Sequence, residues 1–286
     1  MKLSHYIVKP NSKIDLSKIQ TDLPDEKISK EICENVLSRD IQRISELQEK
    51  LYADNKYALL LIFQGMDASG KDNMIKNVMS GLNPQGTQVF SFKEPSKQEL
   101  DHDYLWRVHK AMPERGRIGI FNRSHYEEVL IVRVHNLTLK QNIPPRLISK
   151  NIWKQRFRQI NDFERFMYEN GTIILKFYLH ISLEEQKKRF LKRIDNQTKN
   201  WKFSFQDIKE RIVWDKYMFA YQEAISSTST KFAPWFIIPS DKKWFARTIV
   251  SEIILQSMIK LKLSFPKLSP EQMEDLKRAK EILLQE

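Results

Sequence analysis

With 286 residues, 41% of them apolar, the chain is long enough to bury a full core, and its length fits one large domain with appendages rather than several independent ones. Its longest apolar run, Tyr57 to Phe63, is far short of a bilayer span, Met1 to Asn11 lacks the apolar stretch of a signal peptide, and a lone cysteine, Cys33, closes no intrachain disulfide, so a cytoplasmic protein with no membrane partner is expected. Lysine and arginine outnumber aspartate and glutamate by 48 to 36, and the resulting charge of +12 points to a polyanionic partner without saying which one.

Residues 24 to 53 carry apolar positions at helical spacing, Ile28, Ile32, Val36, Ile41, Ile44, Leu47 and Leu51, and read as one long helix or a helix pair. The Tyr57–Phe63 run is a buried strand, followed by a glycine turn and a helix from Lys71 to Ser80. Thr87 to Phe92 reads as a second strand, Gln98 to Met112 as a helix, Ile118 to Phe121 as a third strand and Ser124 to Val134 as another helix. After the Pro144-Pro145 break come a helix over 146–169, a strand from Thr172 to Leu179 and a helix over 182–194. A polar, basic link leads to a helix over 206–226, a strand from Trp235 to Pro239 and a helix from Asp241 to Leu261, and 269–286 forms an amphipathic helix suited to packing or oligomer contacts.

Strands that alternate with helices predict an α/β fold, a parallel sheet with helices on both faces. Three parts are expected: a helical extension over 1–55, a core over 56–262 and a helical tail over 263–286. Cys33 reads as a structural residue.

The chemistry concentrates in Gly65-Met66-Asp67-Ala68-Ser69-Gly70-Lys71, which matches G-x-x-x-x-G-K and lies where the mechanism needs it, directly after a strand and opening a helix. Gly65 and Gly70 let the backbone N–H groups of Ala68, Ser69 and their neighbours curl around phosphate oxygens, and Lys71 reaches the oxygens of a transferring group. Asp72 stands where serine or threonine is usual, and Asp67 adds a second carboxylate. Both would repel a bare phosphate, and a hard cation between carboxylate and phosphate oxygens turns that repulsion into a bridge. Asp67 is the expected metal residue; Asp72 has a second reading as a helix-start carboxylate.

Further along, Lys187, Lys188, Arg189, Lys192, Arg193, Lys199 and Lys202 crowd one stretch whose only acid is Asp195. Helical spacing places Arg189 and Arg193 on one face, as two forked donors for successive phosphates, while Lys187, Lys188 and Lys192 read as solvated. His109 and His125 lie near the motifs but read as packing or hydrogen-bonding residues, since a nucleotide phosphate is already ionised at neutral pH and needs no base. Trp106 suits adenine stacking or core burial equally.

Three blocks in order, Gly65-Met66-Asp67-Ala68-Ser69-Gly70-Lys71-Asp72, Phe121-Asn122-Arg123-Ser124-His125-Tyr126 and Trp201-Lys202-Phe203-Ser204, resemble the family-2 polyphosphate kinases over about residues 56 to 250. Asn83-Pro84-Gln85-Gly86, Leu105-Trp106-Arg107-Val108-His109 and Ala233-Pro234-Trp235 add to the resemblance, which looks closest to the branch that accepts both AMP and ADP. It implies a thymidylate-kinase-like P-loop fold with a helical lid over about 187–204. It also implies magnesium, with manganese as a substitute, inorganic polyphosphate with AMP, ADP and ATP as partners, and no nucleic acid; a homo-oligomer, dimer or tetramer, is expected as well. Carried over by position, Asp67, Lys71, Arg123 and Arg193 are catalytic, Gly65, Ala68, Ser69, Gly70, Asp72 and Lys202 bind phosphate, and Lys93, Glu94, Asn122 and Arg123 face the nucleotide. In one respect the chain departs from the pattern: Asn122 stands where other branches have a metal-binding aspartate. Glu127 or Glu128 can supply the missing charge, although both read first as solvent-facing helix residues.

Two rivals stand beside this reading. An ATP-dependent nucleoside monophosphate kinase is suggested by Lys93-Glu94-Pro95, and a non-catalytic nucleic-acid-binding module by the basic surface alone.

Overall fold

Every residue of Ala58–Gln64 is buried, which a strand achieves only with its sheet covered on both faces. The computed structural model describes residues 3–24 and 28–286. In chain order, α1 (Lys30–Asp54) leads to β1 (Ala58–Gln64), α2 (Lys71–Val78), β2 (Thr87–Ser91), the short helices α3 (Lys97–Leu100) and α4 (Trp106–Lys110), β3 (Ile118–Asn122) and α5 (Ile131–Val134). Then follow α6 (Ile152–Glu169), β4 (Thr172–His180), α7 (Leu183–Ile194), α8 (Phe205–Ile212), α9 (Trp214–Thr228), β5 (Trp235–Pro239), α10 (Lys243–Lys260) and α11 (Pro270–Leu283).

The five strands form one parallel sheet in the order β2-β3-β1-β4-β5, so β1 lies in the middle, paired with both β3 and β4. Alternation along β1 divides the core in two. Leu59, Leu61 and Phe63 pack with Ile44 and Leu51 of α1, Met74 and Val78 of α2, and Ile249 and Ile253 of α10. Leu60 and Ile62 pack on the other face with Phe157 and Ile160 of α6, Tyr221 of α9 and Tyr126. The chain is therefore a helix–sheet–helix α/β protein, as the element pattern predicts. At the β5 edge the N-terminal segment adds a short antiparallel bridge, with Val8 N–H donating to Trp235 O at 2.9 Å and Ile237 N–H to Tyr6 O at 2.8 Å, which covers otherwise unpaired backbone.

Several expected elements are shorter than the periodicity suggests. The first begins at Lys30 behind the Ser29 cap, and its predicted positions 25–27 lie outside the described residues. The predicted helix 98–112 is divided into α3 and α4, because the Asp103 side chain accepts the Leu105 N–H at 2.9 Å and restarts the chain there. The predicted helix 206–226 is broken at Val213 into α8 and α9. Residues 125–129 wind as a tight 3-10 segment rather than an α-helix. Cys33 is buried, as its structural reading expects. No residue of α11 is buried, and no helix among the described residues is long and apolar enough to cross a membrane.

Candidate active site

A parallel sheet presents its loops at the carboxyl ends of its strands. Here the loop after β1 (65–70), the segment after β2 (Lys93 and Glu94) and the end of β3 (Asn122 and Arg123) line one cleft of about 1040 Å³, with α7 and residues 199–202 forming the opposite wall. Ten basic side chains line it against four acidic ones, so its field selects anions.

The loop is built by backbone geometry. Gly65 has φ 152°, and a Cβ there would sit 2.9 Å from the Leu179 carbonyl oxygen, so only glycine fits. Gly70 caps α2 in the left-handed region with φ 104°, and Ala68 is held at φ 62°, where a side chain is disfavoured. Lys71 is buried; its Nζ donates to the carbonyls of Gly65 at 2.7 Å and Met66 at 3.2 Å. Burial first, and the nearby Arg123 second, bring its pKa down to about 8.

Arg123, at the end of β3, is held at φ 63° and donates to Asp67 Oδ1 at 2.8 Å. Burial works against its charge, but Glu127 and Asp67 outweigh burial and hold the guanidinium protonated. Asn122 donates to Asp72 Oδ1 at 2.8 Å, and Lys202 Nζ lies 3.9 Å from the other Asp72 oxygen. Arg193 lies 3.7 Å from Asp207, which closes a capping box with Ser204 at the start of α8. Burial, then the charge of Asp67, raises the Asp207 pKa above the usual carboxylate range.

The structure thus brings Asp67, Ala68, Gly70, Lys71, Asp72, Lys93, Glu94, Asn122, Arg123, Arg193 and Lys202 to one cleft. Gly65 and Ser69 are outside its lining. Gly65 is a packing position, and the Ser69 hydroxyl is buried without a hydrogen-bond partner.

Three expectations need correction. Glu127 and Glu128 are not solvent-facing, because the 3-10 winding turns both inward. Burial raises the Glu127 pKa, and with the Gln64 amide oriented to satisfy both its ends, its nitrogen donates to Glu127 at 3.1 Å while its oxygen accepts from Ser124. Glu128 accepts from Gln141 at 2.7 Å beside Arg156. Arg189 borders the cleft with Arg193 but is no second phosphate fork, since its donors go to Glu185 and to backbone carbonyls. Trp106 stacks on His102 at 4.0 Å and does not line the cleft.

His125, as expected, is a hydrogen-bonding residue. It joins a buried network in which Glu164 accepts from Tyr126 Oη at 2.8 Å and from Lys176 Nζ at 2.5 Å, with Lys176 also donating to the Thr228 carbonyl at 2.7 Å. Sequence reasoning named Glu127 but misplaced it on a solvent face, and missed Asp207 and the role of Arg189. Of these only Asp207 left a local signal, the Ser204-Phe205-Gln206-Asp207 cap pattern.

Comparison with known proteins shows which family the fold and sequence belong to. A family model described as "Polyphosphate kinase 2 (PPK2)" matches residues 27–265. The chain is 49% identical to an ADP-polyphosphate phosphotransferase of Rhodopseudomonas palustris, with 99% of each chain covered. It is 42% identical to an AMP/ADP-polyphosphate phosphotransferase of Meiothermus ruber, over 92% of this chain and 96% of that one. Among solved structures, polyphosphate kinase 2 from Arthrobacter aurescens TC1 superposes with a TM-score of 0.86 at 37% identity, over 96% of this chain and 98% of that one.

Proposed function

The chain belongs to the polyphosphate kinase 2 family and is a polyphosphate-dependent nucleotide phosphotransferase, and from that premise we propose that it moves the terminal phosphoryl group of inorganic polyphosphate to ADP, and to AMP, by direct in-line transfer. The observation that carries this reading is the convergence of Lys71 and Arg123, from neighbouring strands, on a glycine-shaped loop in a strongly basic cleft.

In the transfer, a terminal phosphate oxygen of the nucleotide bonds to the transferred phosphorus while the bond from that phosphorus to the bridging anhydride oxygen breaks, its electron pair staying on the bridging oxygen, now the end of the shortened polyphosphate. The attacking oxygen is already ionised, so no general base is needed, and His125 stays in its buried network. Lys71 exchanges the carbonyls of Gly65 and Met66 for oxygens of the transferring group. Arg123 and Arg193 meet the charge that spreads over that group in the transition state. Asp67 and Asp72 both line the cleft, where hard carboxylate oxygens would suit a magnesium or manganese ion arriving with the phosphates. When bound, such an ion neutralises phosphate charge, and Asp67 would hold it.

Residues from about 187 to 204 serve as the lid, and Lys93 and Glu94 face the nucleotide. The reading includes a cytoplasmic location, and the wholly exposed α11 supports a homo-oligomer.

The deciding experiment incubates the purified protein with Mg²⁺ and polyphosphate, adding ADP or AMP separately. ATP forms from ADP, and ADP from AMP, with no ATP supplied. If polyphosphate is inert while ATP phosphorylates AMP, the protein is a nucleoside monophosphate kinase instead.

A further inference from the structure

Arg189 is buried on the face of α7 that meets the loop, and all five of its N–H groups have acceptors. Nε donates to Glu185 at 2.7 Å, Nη1 to the carbonyls of Ala68 at 2.9 Å and Ser69 at 2.7 Å, and Nη2 to those of Ser240 at 2.5 Å and Asp241 at 3.2 Å. None is left for a phosphate. Three residues earlier, Gln186 donates to the Asp67 carbonyl at 2.9 Å. Three consecutive loop carbonyls are therefore drawn toward α7. The N–H and C=O of one trans peptide point opposite ways, so Arg189 turns the N–H groups of Ser69 and Gly70 away from itself and Gln186 does the same for that of Ala68; the Ser69 N–H donates to Met66 O at 3.0 Å, which closes the turn of the loop. Ala68 pays for this arrangement with a left-handed backbone at φ 62°, a conformation that an alanine keeps only where its surroundings enforce it.

We infer that Arg189 is a positioning residue of the phosphate loop, fixing the Ala68 and Ser69 peptides so that the loop is set for phosphate before any substrate arrives. The inference rests on the phosphate-binding role proposed above for that loop. Lysine cannot substitute, because its three donors on one nitrogen do not span two separate pairs of carbonyls. The same helix carries Arg193 one turn later, so the loop and the basic wall share one support.

The test is calorimetric titration of the full-length protein with tripolyphosphate in Mg²⁺ buffer, which reads the loop without a transfer step. Arg189→Lys is expected to weaken binding by about tenfold or more in protein that thermal melting shows to be folded at the temperature of the titration. Adding Ala68→Gly to that variant is expected to recover about threefold or more, since glycine adopts positive φ without help. A purely structural role for Arg189 gives no reason for that recovery. Gln186→Met removes the donor to Asp67 at similar volume, is expected to weaken binding by about threefold, and carries the same test if Arg189→Lys does not fold. Wild-type affinity in Arg189→Lys, or a loss that Ala68→Gly leaves untouched, overturns the inference. A parent protein that fails to bind tripolyphosphate overturns the functional reading, and this inference with it.

Discussion

Arg123 donates to Asp67 across 2.8 Å, joining the ends of two neighbouring strands from 56 positions apart. The pair sets a cation assigned to phosphate against a carboxylate assigned to metal, and two more cations of the cleft, Arg193 and Lys202, also lie beside carboxylates, Asp207 and Asp72. Each cation has a carboxylate that holds its place, and at the Asp67–Arg123 pair a magnesium–phosphate substrate would supply both partners: the metal for Asp67 and the phosphate for Arg123.

That arrangement predicts how Asp67→Asn behaves. Turnover should fall by about tenfold or more, and the remaining activity should need more Mg²⁺ or Mn²⁺ for half-saturation. A metal titration that matches the parent contradicts the role given to Asp67.

The buried Lys71 predicts a pH dependence. With its pKa brought down to about 8 from 10.5, the free protein loses the charge above that pH, so kcat/KM for polyphosphate should fall with a slope approaching tenfold per unit above about 8. For stability the sign is reversed. Between about 8 and 10.5 the unfolded chain binds the proton that the folded one has lost, so the parent should gain stability with rising pH there while Lys71→Met does not. Parallel stability profiles for the two proteins, or a flat kcat/KM to pH 9.5, contradict the assignment.

For the basic wall, Arg193→Ala and Lys202→Ala should raise the KM for polyphosphate by about three- to tenfold, more than that for ADP, and should make its apparent affinity less steeply dependent on salt. Lys187, exposed and outside the cleft, is the control. Equal effects from all three variants would make the charge run a general surface field rather than a lid.

The pair Lys176 and Glu164 tests the core. Both side chains are fully buried; burial pushes Glu164 up, but Lys176 and His125 outweigh it and hold the carboxylate below its usual range. Lys176→Met leaves that carboxylate without its cation and should cost about 3–5 kcal/mol in urea denaturation. Adding Glu164→Gln should recover part of the loss. Additive losses would show that the two groups do not act as a pair.

The readable parts of this chain were local ones. The Gly65–Lys71 loop occupies seven consecutive residues after an apolar run, and the strands β1 and β4 are near-continuous apolar segments, so the fold class and the centre of the site both follow from short windows. What depended on distant packing did not. Helical spacing alone puts Arg189 beside Arg193, yet α7 docks on a loop 120 positions earlier in the chain and its carbonyls take the Arg189 donors. Glu127 and Glu128 were misread because a 3-10 winding replaces the α-helical period on which a solvent face is assigned. The breaks at Asp103 and Val213 fall inside windows whose apolar spacing stays helical, so periodicity does not mark them.

The central claim is that the terminal phosphoryl of polyphosphate passes directly to the nucleotide under the charge of Lys71. The most direct measurement is a single-turnover rapid-quench experiment with polyphosphate labelled in its terminal phosphates, Mg²⁺ and ADP, run on the parent and on Lys71→Met with its fold checked by thermal melting. The account predicts that label enters the γ-phosphate of ATP in the first turnover of the parent, and that Lys71→Met slows this step by at least about a hundredfold. Transfer at the parent's rate in a folded Lys71→Met protein, or ATP formed by the parent without the label, would contradict it.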